Sequence, residues 1–288
     1  MAVDFGILYV VATPIGNLDD ISPRAQEILA SVELIAAEDT RRTGRLLTHF
    51  GINTRLLSCH EHNESKRVPQ IIERLQAGAD IALVSDAGTP LLSDPGYRLV
   101  AAAREHGLPI SPVPGCSAVV AALSVAGLPA DRFRFEAFLP APRASRRKRL
   151  AELSRATETL VIFESVHRIR DALADLAELF GSDRPAAVAR ELTKLNETVY
   201  RGTLAQVRAA VRADAGSGKG EFTVVVAGCS APADPQAVEL ERVLDILLED
   251  HSATRAAAIA ARITGFARRA AYRIAVKRRQ AGRAETDS

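Results

Sequence analysis

Several carboxylates lie where apolar runs of this 288-residue chain give out, and strand ends are where proteins commonly keep acids and bases. Glu38 and Asp39 close "ELIAAED". Asp86 and Asp94 fall in "ALVSDAGTPLLSDPG". Glu164 ends "ETLVIFES" and Glu191 ends "AAVARELT". Glu164 and Glu191 each have a basic residue within three positions, in "FESVHR" and "ARELTKLNE". A carboxylate beside a cation is either a structural ion pair or a general base with an electrostatic partner. Asp39 or Thr40 can also cap a helix, with Arg41, Arg42 and Arg45 on its face.

Three loops rich in glycine and proline follow apolar runs: "ATPIGN", "SDAGTPLLSDPG" and "VPGCSA". The middle one is longer than an ordinary strand-to-helix connection. In a parallel sheet the three would converge on one edge, where open α/β folds bind ligands. The first resembles a cofactor loop, and Pro14 and Gly16 belong to it. Glycines let the backbone approach a ligand, and Asp86 or Asp94 can accept hydrogen bonds from an amine or a ribose. The GxGxxG fingerprint is absent, and "GSGKGEF" lacks the Ser or Thr that a Walker loop needs after Lys219. Neither ATP nor NAD is expected. His60 and His62 in "SCHEHNE" would share a strand face, but no third ligand stands at a recognised spacing, so no metal is expected.

These groups need a frame. Short apolar runs alternate with amphipathic stretches up to Gly127, which predicts a parallel sheet with helices on its faces. "GNLDDISPRAQEILASV" is predicted as one helix presenting Leu18, Ile21, Ile28 and Leu29. "TRRTGRLLTHFG" is a helix closed by Gly51. Beyond Gly127 the pattern becomes α+β, and "GKGEFTVVVAG" reads as an alternating strand at an edge or in a hairpin. "CSAPADPQA" reads as a linker. Helices follow, the last two broken at Gly265 with helix-turn-helix spacing, and "QAGRAETDS" is expected to fray. The expected fold is two α/β domains, 1–118 and 119–235, with a basic helical domain over 236–288.

Composition excludes several classes. A hydrophobic fraction of 47% with 25% charged residues describes a globular chain. No apolar run approaches a membrane span, and the first residues lack a basic segment typical of a secretory signal. Cys59, Cys116 and Cys229 are widely spaced, so reduced thiols and a cytoplasmic location are expected. Net charge is only +2, but its distribution is uneven. Five basic residues lie between Arg143 and Arg149, including Arg146, Arg147 and Lys148, with no acid among them. Seven more lie between Arg262 and Arg279, including Arg268, Arg269 and Lys277, interleaved with Phe266 and Tyr272. Two such runs favour a polyanion partner.

Together, "LYVVATPIGNLDDIS", "AAEDTRRTGRLL", "ALVSDAGTPLLSDPGYRLV", "PVPGCSA", "FESVHRI", "ARELTKLNE" and "KGEFTVVVAG" resemble the ribosomal RNA small-subunit methyltransferase I family of the tetrapyrrole-methylase (class III) superfamily. The likeness is colinear from Leu8 to Gly228, and the C-terminal helices resemble that family's appended domain. It implies a homodimer with S-adenosyl-L-methionine in the cleft between two α/β domains. The implied reaction is methyl transfer to the ribose 2'-oxygen of a decoding-centre cytidine in 16S rRNA, on free RNA or in the small ribosomal subunit. Asp86, Ala87, Gly88 and Thr89 would wrap the cofactor, helped by Ser117 and Ala118, with Phe163, Phe222 and Thr223 nearby. Ala12 stands where a glycine is more usual. The ribose hydroxyl is a poor nucleophile, so a general base would help. Candidates are Asp39 and Glu191 first, then Glu38 and Glu164, with Lys194 or Arg190 polarising the oxygen or holding phosphate. Arg41, Arg42, Arg146, Arg147, Lys148, Arg268, Arg269 and Lys277 would contact RNA. A small-molecule tetrapyrrole methylase would not need the basic tail. A non-catalytic RNA-binding module would not need the full set of strand-end loops.

Overall fold

The computed structural model describes residues 5–229 and 235–286. The chain forms two compact units, residues 1–228 and 229–288. The first holds two five-stranded sheets.

The first sheet comprises β1 (Leu8–Val11), β2 (Leu34–Ala37), β3 (Arg55–Ser58), β4 (Ile81–Val84) and β5 (Ile110–Val113). Its order is β3-β2-β4-β1-β5, and every pairing is parallel. All four residues of β2 and of β4 are buried, as expected for central strands covered on both faces. The connecting helices are α1 (Pro23–Ser31), α2 (Thr40–His49), α3 (Glu64–Gln76) and α4 (Tyr97–Glu105). Leu29 of α1 and Leu46 and Leu47 of α2 pack with Ile35 and Val84 on one face. Ile71 and Leu75 of α3 and Leu99 of α4 pack with Leu8 and Leu83 on the other. From β1 the chain moves to one side of the sheet, and from β4 to the other, so the carboxyl ends of these adjacent strands form the switch point.

Next come α5 (Ala118–Ala126), β6 (Phe133–Phe138), α6 (Arg143–Leu153), β7 (Thr159–Ser165), α7 (Ile169–Phe180), β8 (Pro185–Arg190), β9 (Thr198–Thr203), α8 (Leu204–Ala213) and β10 (Glu221–Val226). The second sheet runs β6-β7-β10-β8-β9, parallel only between β6 and β7. One face packs on α6, α7 and α8 through Leu150, Leu173 and Val207. The other receives Val119, Ala122 and Leu123 of α5 against Val161, Ala187 and Val225.

In the second unit α9 (Pro235–Asp250), α10 (Ala253–Thr264) and α11 (Arg268–Thr286) enclose Leu240, Leu244, Ala256, Ala260, Ala271 and Ala275. Gly265 takes a left-handed conformation at the α10–α11 turn. Among the described residues no helix is long and apolar enough to cross a membrane.

Four local expectations change. The first predicted helix divides: Leu18–Asp20 form a single 3-10 turn, and the Ser22 side chain caps α1 with Pro23 behind it, leaving Leu18 exposed. His60 and His62 lie in a turn after β3 and share no strand face. The edge strand "EFTVVV" is instead the central strand β10, buried from Phe222 to Val226 without alternation. The C-terminal helix continues to Thr286 where fraying from Gln280 was expected. The expected linker falls mainly on residues 230–234, outside the described residues.

Candidate active site

The three strand-end loops meet. Thr13, after β1, exchanges two backbone hydrogen bonds with Gly88, after β4, at 2.9 and 3.0 Å. The Thr89 hydroxyl donates to the Cys116 carbonyl at 3.0 Å, which ties in the loop after β5. Beside this junction lies a cavity of about 360 Å³, a volume in the usual range for small-ligand sites. Ala87, Gly88, Thr89, Leu92, Ser93 and Asp94 line it from the β4 loop. Ser117, Ala118 and Val119 add the start of α5, and Phe138, Phe163, Ala189, Leu192, Phe222 and Thr223 add the second sheet and its loops. Gly88 has a φ of +83°, and a Cβ there would stand 3.2 Å from Ile15 Cγ2. Its missing side chain keeps the β1 and β4 loops in contact.

The wall carries three carboxylates, Asp94, Glu164 and Glu221, and neither lysine nor arginine. With no cationic side chain in the lining, the wall gives phosphate no charge partner. Phe138 and Phe163, 5.8 Å apart between ring centroids, supply aromatic surface at the same mouth.

The sequence candidates separate by position. Ala87, Gly88, Thr89, Ser117, Ala118, Phe163, Phe222 and Thr223 line the cavity, whereas Pro14, Gly16 and Asp86 do not. Pro14 and Asp86 line a smaller recess beyond the Thr13–Gly88 junction, with Arg42 and Arg45. Gly16 serves packing: a Cβ there would lie 2.7 Å from Thr193 Oγ1 and 2.8 Å from the Leu192 carbonyl. With the Asn17 N–H donating to Thr193 Oγ1 at 3.1 Å, the β1 loop is seated on the loop after β8.

Glu38 and Asp86 form a reciprocal clasp. Glu38 Oε2 accepts from the Asp86 N–H at 3.2 Å, and Asp86 Oδ1 accepts from the Asp39 N–H at 3.0 Å. Arg42 closes it from α2, 3.2 Å from Asp86 Oδ2. Burial raises the Glu38 pKa despite that N–H. Asp39 caps α2 by accepting from the Arg41 N–H at 2.8 Å, and this bond holds its pKa below the ordinary value. Glu191 is partly buried, which would raise its pKa, but the Lys194 ammonium at 2.8 Å and the Glu221 N–H at 3.0 Å lower it overall. Lys194 also reaches Glu221, at 2.8 Å.

Glu164 borders the cavity but its alternation along β7 puts it with Ile162 and Leu160, opposite Phe163 and Val161. Its Oε1 accepts from the Ser165 N–H at 2.8 Å and meets Arg168 at 2.8 Å. Burial nevertheless raises its pKa. Arg168, just before α7, thus holds one oxygen of Glu164, while Oε2 is buried without a hydrogen-bond partner.

The basic runs also divide. Arg146 is 3% exposed and meets Asp175 at 2.8 Å, so it is a core ion pair and not an RNA contact. Arg147 is engaged by Asp175 at 3.1 Å and by Glu178 at 2.6 Å. Lys148 is exposed, as are Arg41 and Arg42, with Arg41 the more open. In the second unit Arg268, Arg269, Tyr272, Arg273 and Lys277 are exposed, and Arg278 is tied to Glu241 and Asp245.

Residues 7–208 match the profile of the Tetrapyrrole (Corrin/Porphyrin) Methylases, and residues 234–279 that of the RsmI C-terminal HTH domain. A ribosomal RNA small subunit methyltransferase I from Pseudomonas aeruginosa is 51% identical, covering 95% of this chain and 98% of its own. The proteins of that name from Xylella fastidiosa (strain Temecula1) and Escherichia coli O157:H7 are 53% and 46% identical, over 93% and 94% of this chain and 98% and 95% of theirs.

The chain belongs to the ribosomal RNA small subunit methyltransferase I family.

The methyltransferase CobJ shares its fold, with a TM-score of 0.58 at 21% identity over 78% of this chain and 95% of that one. So does the Thermus thermophilus uroporphyrin-III C-methyltransferase solved with S-adenyl homocysteine, with a TM-score of 0.53 at 16% identity over 77% and 97%. In this member of the methyltransferase I family, sequence reasoning passed over Leu92, Ser93, Phe138, Ala189 and Leu192 in the cavity wall, and named Asp94 only as an alternative to Asp86 for accepting hydrogen bonds. A backbone signal marks most of them. Leu91, Ser93, Ala137, Glu191 and Thr193 have φ between +51° and +75° without being glycine, and each lines the cavity or adjoins a residue that does. Such conformations cluster at ligand sites.

Proposed function

We propose that this protein methylates the ribose 2'-oxygen of a cytidine in small-subunit ribosomal RNA, using S-adenosyl-L-methionine held in the cavity after β4. The observation that carries the reading is the largely apolar, glycine-edged cavity, with neither lysine nor arginine in its wall, at the switch point of a methyltransferase I chain. The cofactor is a cation at its sulfur and its amino group, so it suits a wall without lysine or arginine. When bound it supplies a methyl group already activated by the positive sulfur. Gly88, Ala87, Thr89, Ser117, Ala118, Phe222 and Thr223 would hold it, with Phe138 and Phe163 offering aromatic surface at the mouth. Asp86 and Pro14 act from behind the wall, and Gly16 by seating the β1 loop on Leu192.

The remaining task of the chain is to place the ribose. Orientation of the reacting groups is worth much of the rate in such a transfer. Lys194, ordered by Glu191 and Glu221, is proposed to orient the ribose or its phosphate at the rim. Arg41, Arg42 and Lys148 in the first unit, and Arg268, Arg269 and Lys277 in the second, offer exposed charge to the RNA backbone. The division of labour is proposed as 1–118 and 119–235 for chemistry and 236–288 for RNA. The protein is proposed to act in the cytoplasm as a homodimer.

The test uses purified full-length protein with methyl-labelled S-adenosylmethionine and either protein-free small-subunit RNA or assembled subunits. Nucleoside mass spectrometry should find label in 2'-O-methylcytidine. Label on a base, or none on RNA while a tetrapyrrole is methylated, would overturn the reading.

A further inference from the structure

We infer that the recess between the loop after β8 and the turn before β10 binds a phosphodiester of the substrate RNA, with Arg190 and Lys219 as its cationic contacts. The inference rests on the proposed methylation of ribosomal RNA and adds a second point at which that RNA is gripped.

The recess begins where the cofactor cavity ends. Successive side chains of a strand point to opposite faces of its sheet. Ala189 packs on the α5 face and lines the cavity, whereas Arg190 follows Val188 to the face covered by α6, α7 and α8. There it lines an open recess of about 720 Å³ with Asn196, Thr198, Gly216, Gly218 and Lys219. Residues 191–197 carry the chain from one to the other: Leu192 lines the cavity and Asn196 the recess. At the start of β10, Gly220 and Lys219 divide in the same way. An RNA strand seated over the cavity therefore meets the recess at the rim.

A buried guanidinium forms the floor. The Arg190 side chain is 9% exposed, and its Nε donates to the Lys219 carbonyl at 3.0 Å. Its outer end is less well served. Nη1 stands 3.5 Å from Asp214 Oδ2, beyond ordinary hydrogen-bond length, and that oxygen already accepts from the Tyr200 hydroxyl. Gly216 leaves the fork uncovered. A Cβ there would lie 2.9 Å from Nη1 and 3.1 Å from Nη2, and one on Gly218 would meet nothing within 4 Å. A planar fork with both terminal nitrogens accessible matches two oxygens of a phosphate.

The charges around it favour an anion. The two acids of the recess are spent on backbone and hydroxyl groups. Asp214 Oδ1 accepts from the Gly216 N–H at 2.7 Å, and Glu197 Oε2 from the Thr193 N–H at 2.7 Å. Lys219 is exposed and has no ion-pair partner among the described residues. Behind the turn, Arg170 Nη2 donates to Ser217 Oγ at 3.1 Å and brings a third cation to the same five residues. The "GSGKG" turn, which is no Walker loop, thus offers glycine and lysine to a single phosphate. A free phosphate has the same chemistry, and the experiment separates the two.

Binding of protein-free small-subunit RNA to the full-length protein is measured across a salt series. Wild type is compared with Lys219→Gln, Arg190→Lys and Gly216→Ala, with calorimetric S-adenosylmethionine binding, melting and RNA methylation for each. Lys219→Gln should weaken RNA binding roughly three- to ten-fold and lower the slope of log affinity against log salt by about 0.7 to 0.9. Arg190→Lys keeps the charge but loses the fork, and should weaken binding with little change of slope. Gly216→Ala, whose methyl crowds the guanidinium, should do the same without touching a charge. Cofactor affinity should stay at the wild-type value throughout. Lys219→Gln and Gly216→Ala decide the matter if Arg190→Lys does not fold. Wild-type affinity and slope in both would overturn the assignment. So would a loss of RNA binding matched by loss of cofactor binding or of the melting transition, which makes the recess structural. Inorganic phosphate is the second probe. If it raises the melting temperature of wild type but not of Gly216→Ala, while the RNA slopes stay equal, the recess takes free anions and the RNA assignment fails. If the slopes differ as expected but wild type moves no methyl to RNA, the proposed reaction fails and the phosphodiester site stands.

Discussion

Replacing Asp175 by alanine should cost this protein stability and leave its RNA binding alone. Arg146 is 3% exposed, and both its Nε and its Nη2 reach Asp175 Oδ2, at 2.9 and 2.8 Å. Arg147 and Arg143 approach Oδ1 at 3.1 and 3.5 Å, so one buried carboxylate balances three guanidinium groups. Removing one partner of a buried pair typically costs about 3–5 kcal/mol, because the remaining charge is stranded. At about 2–4 °C per kcal/mol for a unit of this size, the first unit should melt roughly 6–20 °C lower. The pH dependence has a definite sign. Burial alone would raise the Asp175 pKa, but Arg146 and Arg147 outweigh it and hold the folded value below 3.8. The stabilisation is therefore complete above the unfolded value and disappears as pH falls through the folded one. The double variant Arg146→Met, Asp175→Leu should regain part of the loss, since it removes the buried guanidinium, while Arg147 keeps Glu178 and Arg143 is largely exposed. Calorimetric melting at neutral pH and below pH 4, with RNA binding measured beside it, makes the test. An Asp175→Ala protein that melts within about 2 °C of wild type, or binds RNA more weakly while equally stable, would refute the reasoning.

Gly16→Ala should destabilise the protein by about 1–3 kcal/mol and weaken S-adenosylmethionine binding, because the new methyl forces the β1 loop off Leu192 in the cavity wall. Chemical denaturation and cofactor titration would show it. The triple substitution of Arg268, Arg269 and Lys277 by alanine should weaken RNA binding and lower the slope of log affinity against log salt by about 2 to 3, with cofactor affinity unchanged. Equal slopes would remove these residues from the interface. Lys194→Met should raise the Michaelis constant for RNA or lower the turnover rate, and free Glu191 to titrate nearer its ordinary value. Steady-state kinetics and carboxylate NMR would check both.

Much of the fold was legible because its central strands announce themselves. β2 and β4 are unbroken apolar runs between turn signals, as parallel strands covered on both faces must be. The convergence of three glycine-rich loops followed from the parallel order alone. Strand β10 was misplaced because its run of valines was read as alternating, although Phe222 to Val226 are buried without a break. Arg146 was misread for a related reason. It lies four and seven residues before the buried Leu150 and Leu153, on the inward stripe of α6, and its partner Asp175 is far along the chain on α7. Charge density suggested a solvent-facing surface, while the helical period put one arginine inside. The distinction between Asp86 and Asp94 could not be read at all. It depends on which carboxylate Arg42 reaches, and that contact joins α2 to the end of β4.

The left-handed residues around the cavity have a consequence for how a ligand is received. Five non-glycine residues hold conformations that a free chain seldom visits, and they flank the walls on both sheets. Glycine would reach the same angles more easily, but it would leave the loops many other shapes to explore. Side chains at Leu91, Ser93, Ala137, Glu191 and Thr193 narrow that choice, and the surrounding packing selects the rare shape before anything binds. The mouth is preorganised: little loop entropy remains to be lost on association, so more of the contact energy appears as affinity. Glycine at Leu91 or Ser93 would relax the backbone while making the empty site more disordered. Tight binding here thus depends on strain that the folded core holds in place.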